Sequence, residues 1–126
     1  MNKKRGESMN IHESSEDYLE RILMLHETKG TVRSIDIATE MGVTKPSVSF
    51  AMKKLRENGY IHMDQDNLIT LTESGMEIAQ RIYTRHKALT QYLMKLGVDE
   101  ETARADACKM EHDLSTASFE AMRRQL

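Results

Sequence analysis

The chain has a single cysteine, no tryptophan and no long hydrophobic run, and each absence narrows what it can be. One cysteine cannot close an internal disulfide, so Cys108 is left as a metal ligand or reactive thiol in a reducing compartment. With no tryptophan, two phenylalanines and four tyrosines among 126 residues, the core has to be built from Leu, Ile, Val, Ala and ten Met. Such a core is small and mainly helical, and oligomerisation would supplement it. No apolar run approaches the roughly 18 residues that span a bilayer. The polar start MNKKRGES lacks the apolar stretch of a secretory signal. We therefore expect a cytoplasmic protein with no membrane partner. There are no internal repeats and no low-complexity segment, and the length suits one domain or two small lobes that share helices.

A strong excess of either charge is also missing, since the net charge is −2. The balance is uneven along the chain. Arg33 to Met63 holds five basic against three acidic side chains, whereas Asp99 to Leu126 holds four basic against seven acidic ones. A mildly basic middle and an acidic end suggest two jobs.

Residues 1–13 are polar, include Lys3, Lys4 and Arg5, and are expected to form a mobile tail. Ser14 or Ser15 can cap a first helix whose apolar positions are Leu19, Ile22, Leu23 and Leu25 and which stops near Gly30. Two short helices with a tight turn follow. Ile35, Ile37, Ala38 and Met41 supply the first, and Gly42 is placed to end it in a left-handed turn. Thr44 can cap the second, with Pro46 in its first turn and Val48, Met52 and Leu55 as its buried stripe. This is a helix-turn-helix. Two strand-like runs, Tyr60 to Met63 and Leu68 to Leu71, then flank a polar turn, and a hairpin in that place is a wing. Thr72 can cap a long helix from about Glu73 to Leu96, with the stripe Ile78, Ile82, His86, Leu89, Leu93 and Leu96. Asp99 and Ser115 can cap the last two helices.

Lys45, Ser47, Ser49, Phe50 and Lys53 lie off the apolar stripe of the second motif helix, where such motifs meet base edges and phosphates. Arg33, Ser34, Thr44 and Lys54 are candidates for backbone contacts, and Pro46 sits among them. The plainer alternative is an ordinary helical pair with a solvated face, against which the wing argues. Binding is expected to depend on salt and on dimerisation.

In DACKMEHDLS the residues Cys108, Glu111 and His112 fall at i, i+3 and i+4, on one face of a helix. A nucleophile with its base would also need an oxyanion pocket and an orienting group, and no such motif is visible. A solvated face explains Glu111 and His112 but not a free cysteine, a residue type that is usually buried. Asp17 and Glu20 share a face of the first helix, and His86 interrupts the apolar seam of the long one. A lone histidine in a seam is commonly a core residue. Six donors on three helices, two imidazoles, three carboxylates and a thiol, instead suit Fe, Mn, Co, Ni or Zn better than Ca or Mg.

The segments SEDYLERILML (15–25), DIATEMGVTKPSVSFAMKKLRENGYI (36–61), LTESGMEIAQRIYTRHKAL (71–89) and DACKMEHDLS (106–115) together resemble the diphtheria toxin repressor and manganese transport regulator family of metal-dependent transcription factors. The resemblance spans about residues 14 to 120. It implies a mainly α chain, with a winged helix-turn-helix DNA-binding domain over 14–72 and a helical metal-binding and dimerisation domain over 73–126. It further implies a homodimer on a double-stranded operator, no organic cofactor and no enzymatic activity. The chain stops where some iron-type members continue into an SH3-like domain, so it is similar to the short, manganese-type architecture. By match to the motif, Asp17, Glu20, His86, Cys108, Glu111 and His112 are the metal ligands.

The ligand set is a hybrid of the two types. Manganese-type members carry glutamate where this chain has Cys108 and iron-type members carry cysteine, yet Asp17 matches the manganese type. Thr90 and Arg104 stand where the iron type's ancillary site uses Glu and His. A thiolate favours softer Fe(II), Co or Zn and three carboxylates favour harder Mn(II) or Fe(II), so Fe(II) is expected first and Mn(II) close behind. The output expected is repression of metal uptake genes when metal is plentiful. The alternatives are a winged-helix regulator that senses an oxidant or organic ligand through Cys108, a zinc-responsive regulator and, from another class, a zinc-dependent hydrolase.

Overall fold

The structure is a computed structural model that describes the backbone of residues 2–126 and the side chains from Ser14 onward, so the tail expected over residues 1–13 lies outside the fully described residues. The chain divides into two compact units, Met1–Gln80 and Arg81–Leu126.

In the first unit, helix α1 (Asn2–Lys29) buries Leu19, Ile22, Leu23 and Leu25. Ser14 and Ser15 lie inside this helix and not at its start as expected. Serine costs less than about 1 kcal/mol at a helical position, too little to end a helix by itself. Helix α2 (Ser34–Met41) ends where expected, at Gly42 with φ 66° and ψ 34°, and the Gly42 N–H donates to the carbonyl of Ala38. An L side chain is disfavoured in that left-handed conformation. Ile37 and Ala38 are buried, but Ile35, expected among the same apolar positions, is 46% exposed. Residues two apart point to different sides of a helix.

Helix α3 (Lys45–Glu57) is capped by Thr44, whose hydroxyl accepts from the backbone N–H of Ser47 at 3.3 Å, with Pro46 in the first turn. Val48, Met52 and Leu55 form its buried face. α1 packs against α2, α3 and the hairpin's second strand. Each fully buried Leu, Ile or Val of this core contributes about 1.5–3 kcal/mol.

The wing pairs β1 (Ile61–Met63) antiparallel with β2 (Ile69–Leu71), placing Ile61 opposite Leu71 and Met63 opposite Ile69. Both strands start one residue later than expected, because the end groups are used elsewhere. The Tyr60 N–H donates to the Leu55 carbonyl at 2.9 Å, and the Leu68 N–H donates to the Asp64 carboxylate at 2.9 Å. The turn between the strands holds Asn67 at φ 62°. The wing is tied back to the helices: the Ile69 N–H donates to the Val32 carbonyl at 2.8 Å, and Nε2 of His26 donates to the Ile69 carbonyl at 2.9 Å.

Helix α4 (Glu73–Lys95) begins in the first unit and continues into the second. Thr72 caps it, accepting from the Gly75 N–H at 3.1 Å while donating to the Gly59 carbonyl at 2.7 Å. Gly75 is obligatory here, since a Cβ would stand 2.1 Å from the Tyr60 carbonyl oxygen.

Within the second unit, Ile82 and Leu89 are buried as expected, but Leu96 is 64% exposed. The helix has ended at Lys95, so the seam's spacing no longer applies to Leu96. Helices α5 (Glu100–Met110) and α6 (Thr116–Arg123) are capped by Asp99 and Ser115, which accept from the N–H groups of Thr102 at 3.0 Å and Ser118 at 3.1 Å. Leu89 of α4, Ala107 of α5 and Phe119 of α6 form the core, with Ala88, Met110, Leu114 and Met122 packed around it.

Candidate nucleic-acid interface and metal centre

The exposed face of α3 follows directly from the burial of its other face. With Val48, Met52 and Leu55 turned inward, Lys45, Pro46, Ser47, Ser49, Phe50, Lys53 and Lys54 are all exposed. Phe50 is 63% exposed, and Nζ of Lys54 lies 5.3 Å from its ring centroid, within cation–π range. The face thus offers cations for phosphates, hydroxyls for base edges or phosphates, and one large apolar surface.

The other expected contacts border this helix in sequence. Thr44 is exposed and Ser34 is half-buried at the start of α2. Arg33 reaches the wing, its Nε donating to the Asp66 carbonyl at 3.3 Å, while its backbone N–H donates to Asp36 at 2.9 Å. The hydrogen bond from Lys29 at 2.7 Å, reinforced by the Arg33 N–H, holds the Asp36 carboxyl below its usual range.

The expected metal ligands fall in both units. In the first, α1 carries Asp17, half-buried, and Glu20, 3% exposed, three residues apart on one helical face. In the second, Glu111 has no exposed surface, and its two carboxylate oxygens each meet an imidazole. Nδ1 of His86 lies 3.0 Å from Oε2, and Nε2 of His112 lies 3.5 Å from Oε1. Cys108 is half-buried in the last turn of α5.

The DACKMEHDLS segment departs from the single helical face expected. α5 ends at Met110, and Glu111 is its C-cap, still helical at φ −61° and ψ −25°, with its N–H on the Ala107 carbonyl. The N–H groups of Asp113 and Leu114 then both fold back onto the Met110 carbonyl, at 3.0 and 3.3 Å. The i, i+3 relation of Cys108 to Glu111 therefore keeps its helical meaning, whereas His112 reaches Glu111 from a turn.

One contact carried no sequence signal. Nη1 of Arg85 donates to the backbone carbonyls of Glu111 at 3.0 Å and Leu114 at 2.9 Å. An arginine one position before a seam histidine looks like part of a solvated face, and its acceptors are main-chain atoms that no residue pattern specifies.

The donor chemistry fits a transition-metal ion. Burying a carboxylate is costly unless a cation or hydrogen-bond donors compensate, and a divalent ion beside Glu111 provides such compensation. A carboxylate between two imidazoles is a ligand set for first-row divalent metals, unlike the all-oxygen sets of Ca and Mg. The carbonyl end of α5 adds partial negative charge at the same place.

Comparison with known proteins bears on both surfaces. Residues 10–67 match the family model described as the iron dependent repressor, N-terminal DNA binding domain. Residues 72–126 match the iron dependent repressor, metal binding and dimerisation domain. The chain is 38% identical over 115 residues to an HTH-type transcriptional regulator of Methanocaldococcus jannaschii, covering 90% of this chain and 92% of that one. It is 39% identical over 107 residues to the HTH-type transcriptional regulator MntR of Bacillus subtilis, covering 85% of this chain and 75% of the relative. Among solved structures, a manganese-dependent transcriptional repressor in complex with manganese superposes with a TM-score of 0.80 at 27% identity over 88% of this chain. The manganese regulator SloR gives 0.77 at 29% identity over 87%. The chain spans about half the length of those two solved chains, 51% and 52%. No helix among the described residues is long and apolar enough to cross a membrane.

Proposed function

The chain belongs to the iron-dependent repressor family of metal-dependent transcriptional regulators, which are not enzymes, and from that premise we propose that it represses metal uptake genes when Fe(II), or in second place Mn(II), is plentiful. The observation that carries the metal reading is Glu111, fully buried with an imidazole at each oxygen. Asp17, Glu20, His86, Cys108, Glu111 and His112 are the residues that hold the ion. When bound, the ion supplies the positive charge that their carboxylates and thiolate need. Cys108 softens a set that is otherwise carboxylate and imidazole, which is why Fe(II) ranks ahead of Mn(II) even though two of the similar solved structures are named for manganese.

Regulation follows from where the ligands are placed. Asp17 and Glu20 belong to the unit that carries α3, and the other four belong to the unit that carries dimerisation. Metal binding by these ligands restricts the freedom of the two winged units of a homodimer. Their recognition helices can then enter major grooves spaced by one helical turn of DNA, about 34 Å, or a multiple of it. Lys45, Ser47, Ser49, Phe50 and Lys53 face base edges and phosphates, and Arg33, Ser34, Thr44 and Lys54 face the backbone, with Pro46 shaping the start of α3. The metal alone is the effector, without an organic cofactor, and the protein works in the cytoplasm.

Anaerobic titration with Fe(II), Mn(II) and Zn(II), read by DNA binding of the wild type and Cys108→Glu, tests the reading. Stimulation by Fe(II) ahead of Mn(II), with the order reversed in Cys108→Glu, is the expected result. DNA binding that ignores chelators and is abolished by peroxide would show instead an oxidant sensor at Cys108.

A further inference from the structure

The geometry points to Arg85 as a positioning residue of the metal centre, one that touches no metal ligand's donor atom and acts by holding the main chain of the turn that carries Glu111 and His112. This inference rests on the metal reading given above.

Arg85 and His86 are neighbours on α4, and both engage Glu111. His86 meets the carboxylate through Nδ1 at 3.0 Å, and Arg85 meets the carbonyl of the same residue through Nη1 at 3.0 Å. Glu111 is thereby held at both ends from adjacent positions of one helix. The same Nη1 spans the turn to the Leu114 carbonyl at 2.9 Å, so it brackets His112 in sequence.

The chemistry suits the place. A helix leaves its last carbonyls without intrahelical donors, and its C-terminal end carries partial negative charge. A cation satisfies both needs, and arginine does so with an always-charged, planar donor. The guanidinium also lies 5.1 Å from the ring centroid of Phe119, a buried residue of the unit's core. That contact fixes the side chain against α6. One residue therefore links α4, the turn after α5, and α6, and the turn it clamps supplies two of the expected ligands.

A ligand held in place binds metal more tightly than one that must be ordered on binding. Outer partners that orient ligands typically contribute about 10- to 100-fold to metal affinity. Arg85→Met keeps an apolar stem against Phe119 and removes the donors. We expect about 10-fold or greater weakening of Mn(II) binding, followed anaerobically by the electron paramagnetic resonance of the free ion. In the metal-free protein, hydrogen exchange at the Asp113 and Leu114 amides should quicken. Arg85→Lys, which restores a point charge, should recover part of both effects. If Arg85→Met fails to fold, Arg85→Lys decides, with weaker Mn(II) binding at an unchanged melting temperature as the supporting result. Wild-type Mn(II) affinity in folded Arg85→Met, or in Arg85→Lys where Arg85→Met does not fold, overturns the inference and leaves Arg85 a purely structural residue. His86→Ala and Glu111→Gln, run alongside, keep the two readings apart. If neither of them weakens Mn(II) binding, the metal reading fails. If they do and the Arg85 variants do not, only the role of Arg85 fails.

Discussion

The candidate residues for DNA and for metal are placed in opposite ways. On α3 the first unit displays the DNA-facing candidates on an exposed helical face, with Val48, Met52 and Leu55 buried on the other side as pure scaffold. The second puts Glu111 at zero exposure, in a turn beyond the end of α5, with His86 and His112 at its oxygens. A surface that binds a large polyanion has to stay in water, where many modest contacts add up. A site for a small cation gains by leaving water, where a few charges interact strongly. Damage should therefore be graded and salt-sensitive on the α3 face, and abrupt at Glu111.

Glu111→Gln is the sharpest way to break the contrast. It leaves the volume almost unchanged and removes the charge, so metal affinity should drop by about 100-fold or more, at or beyond the upper end for loss of an outer partner. Isothermal titration with Mn(II), together with the melting temperature of the metal-free protein, checks this. The metal-free protein should keep its fold, because Gln preserves the volume and a hydrogen-bonding amide for Nδ1 of His86. If Glu111→Gln binds Mn(II) normally, the second unit's buried carboxylate is structural and the contrast collapses.

The coupling between the units is next in size. Metal should tighten DNA binding by about 5- to 150-fold, and DNA should tighten metal binding by the same factor, as linkage requires. Measuring both legs of the cycle tests it, and unequal factors would mean that the metal acts through a site or assembly outside this scheme.

The same contrast explains what the sequence could reveal. In the first unit, periodicity alone separated the buried stripe of α3 from its exposed face, and Gly42, Thr44 and Thr72 marked the element ends where the structure has them. Wherever function sits on the face a helix does not bury, sequence spacing is enough. In the second unit the i, i+3, i+4 spacing assumed a continuous helix, but α5 stops at Met110 and His112 belongs to a turn. Spacing also carried Leu96 into a seam that the helix has already left. Candidate ligands spread over separate elements share no single periodicity, so same-face spacing suggested the six donors but the resemblance had to assign them as one set. The carbonyl clamp of Arg85 was beyond reach, because its acceptors are the same in every residue.

Within the first unit, packing and surface effects can be set against each other. Gly75→Ala forces a methyl towards the Tyr60 carbonyl, where the gap is 2.1 Å. Overpacking of this kind costs about 1–3 kcal/mol. A lower melting temperature without any change in intrinsic metal affinity is expected, and wild-type stability would show that α4 shifts freely against the wing. On the α3 face, Lys53→Ala should weaken binding to all duplexes alike and reduce the salt slope by about 1. Phe50→Ala should leave the slope intact while relaxing sequence preference. Competition between selected and random duplexes at several salt concentrations separates the two. Equal changes in slope would place Phe50 with the backbone contacts.

The smallest expected effect concerns Asp36, which joins Lys29 of α1 to the start of α2. Its carboxyl is held below the ordinary value of 3.8 by Lys29 first and the Arg33 N–H second. A depressed carboxyl stabilises the folded state fully above the ordinary value, and the contribution fades as pH falls through the lower folded one. Because Lys29 is exposed, with 52% of its side chain in solvent, the contribution is less than about 1 kcal/mol. Asp36→Asn should thus lower stability slightly at neutral pH and match the wild type once the pH is below the folded value. Denaturation of both proteins across that range reads the effect. A constant gap down to the lowest pH would mean that Asp36 acts through its shape as a cap and not through its charge.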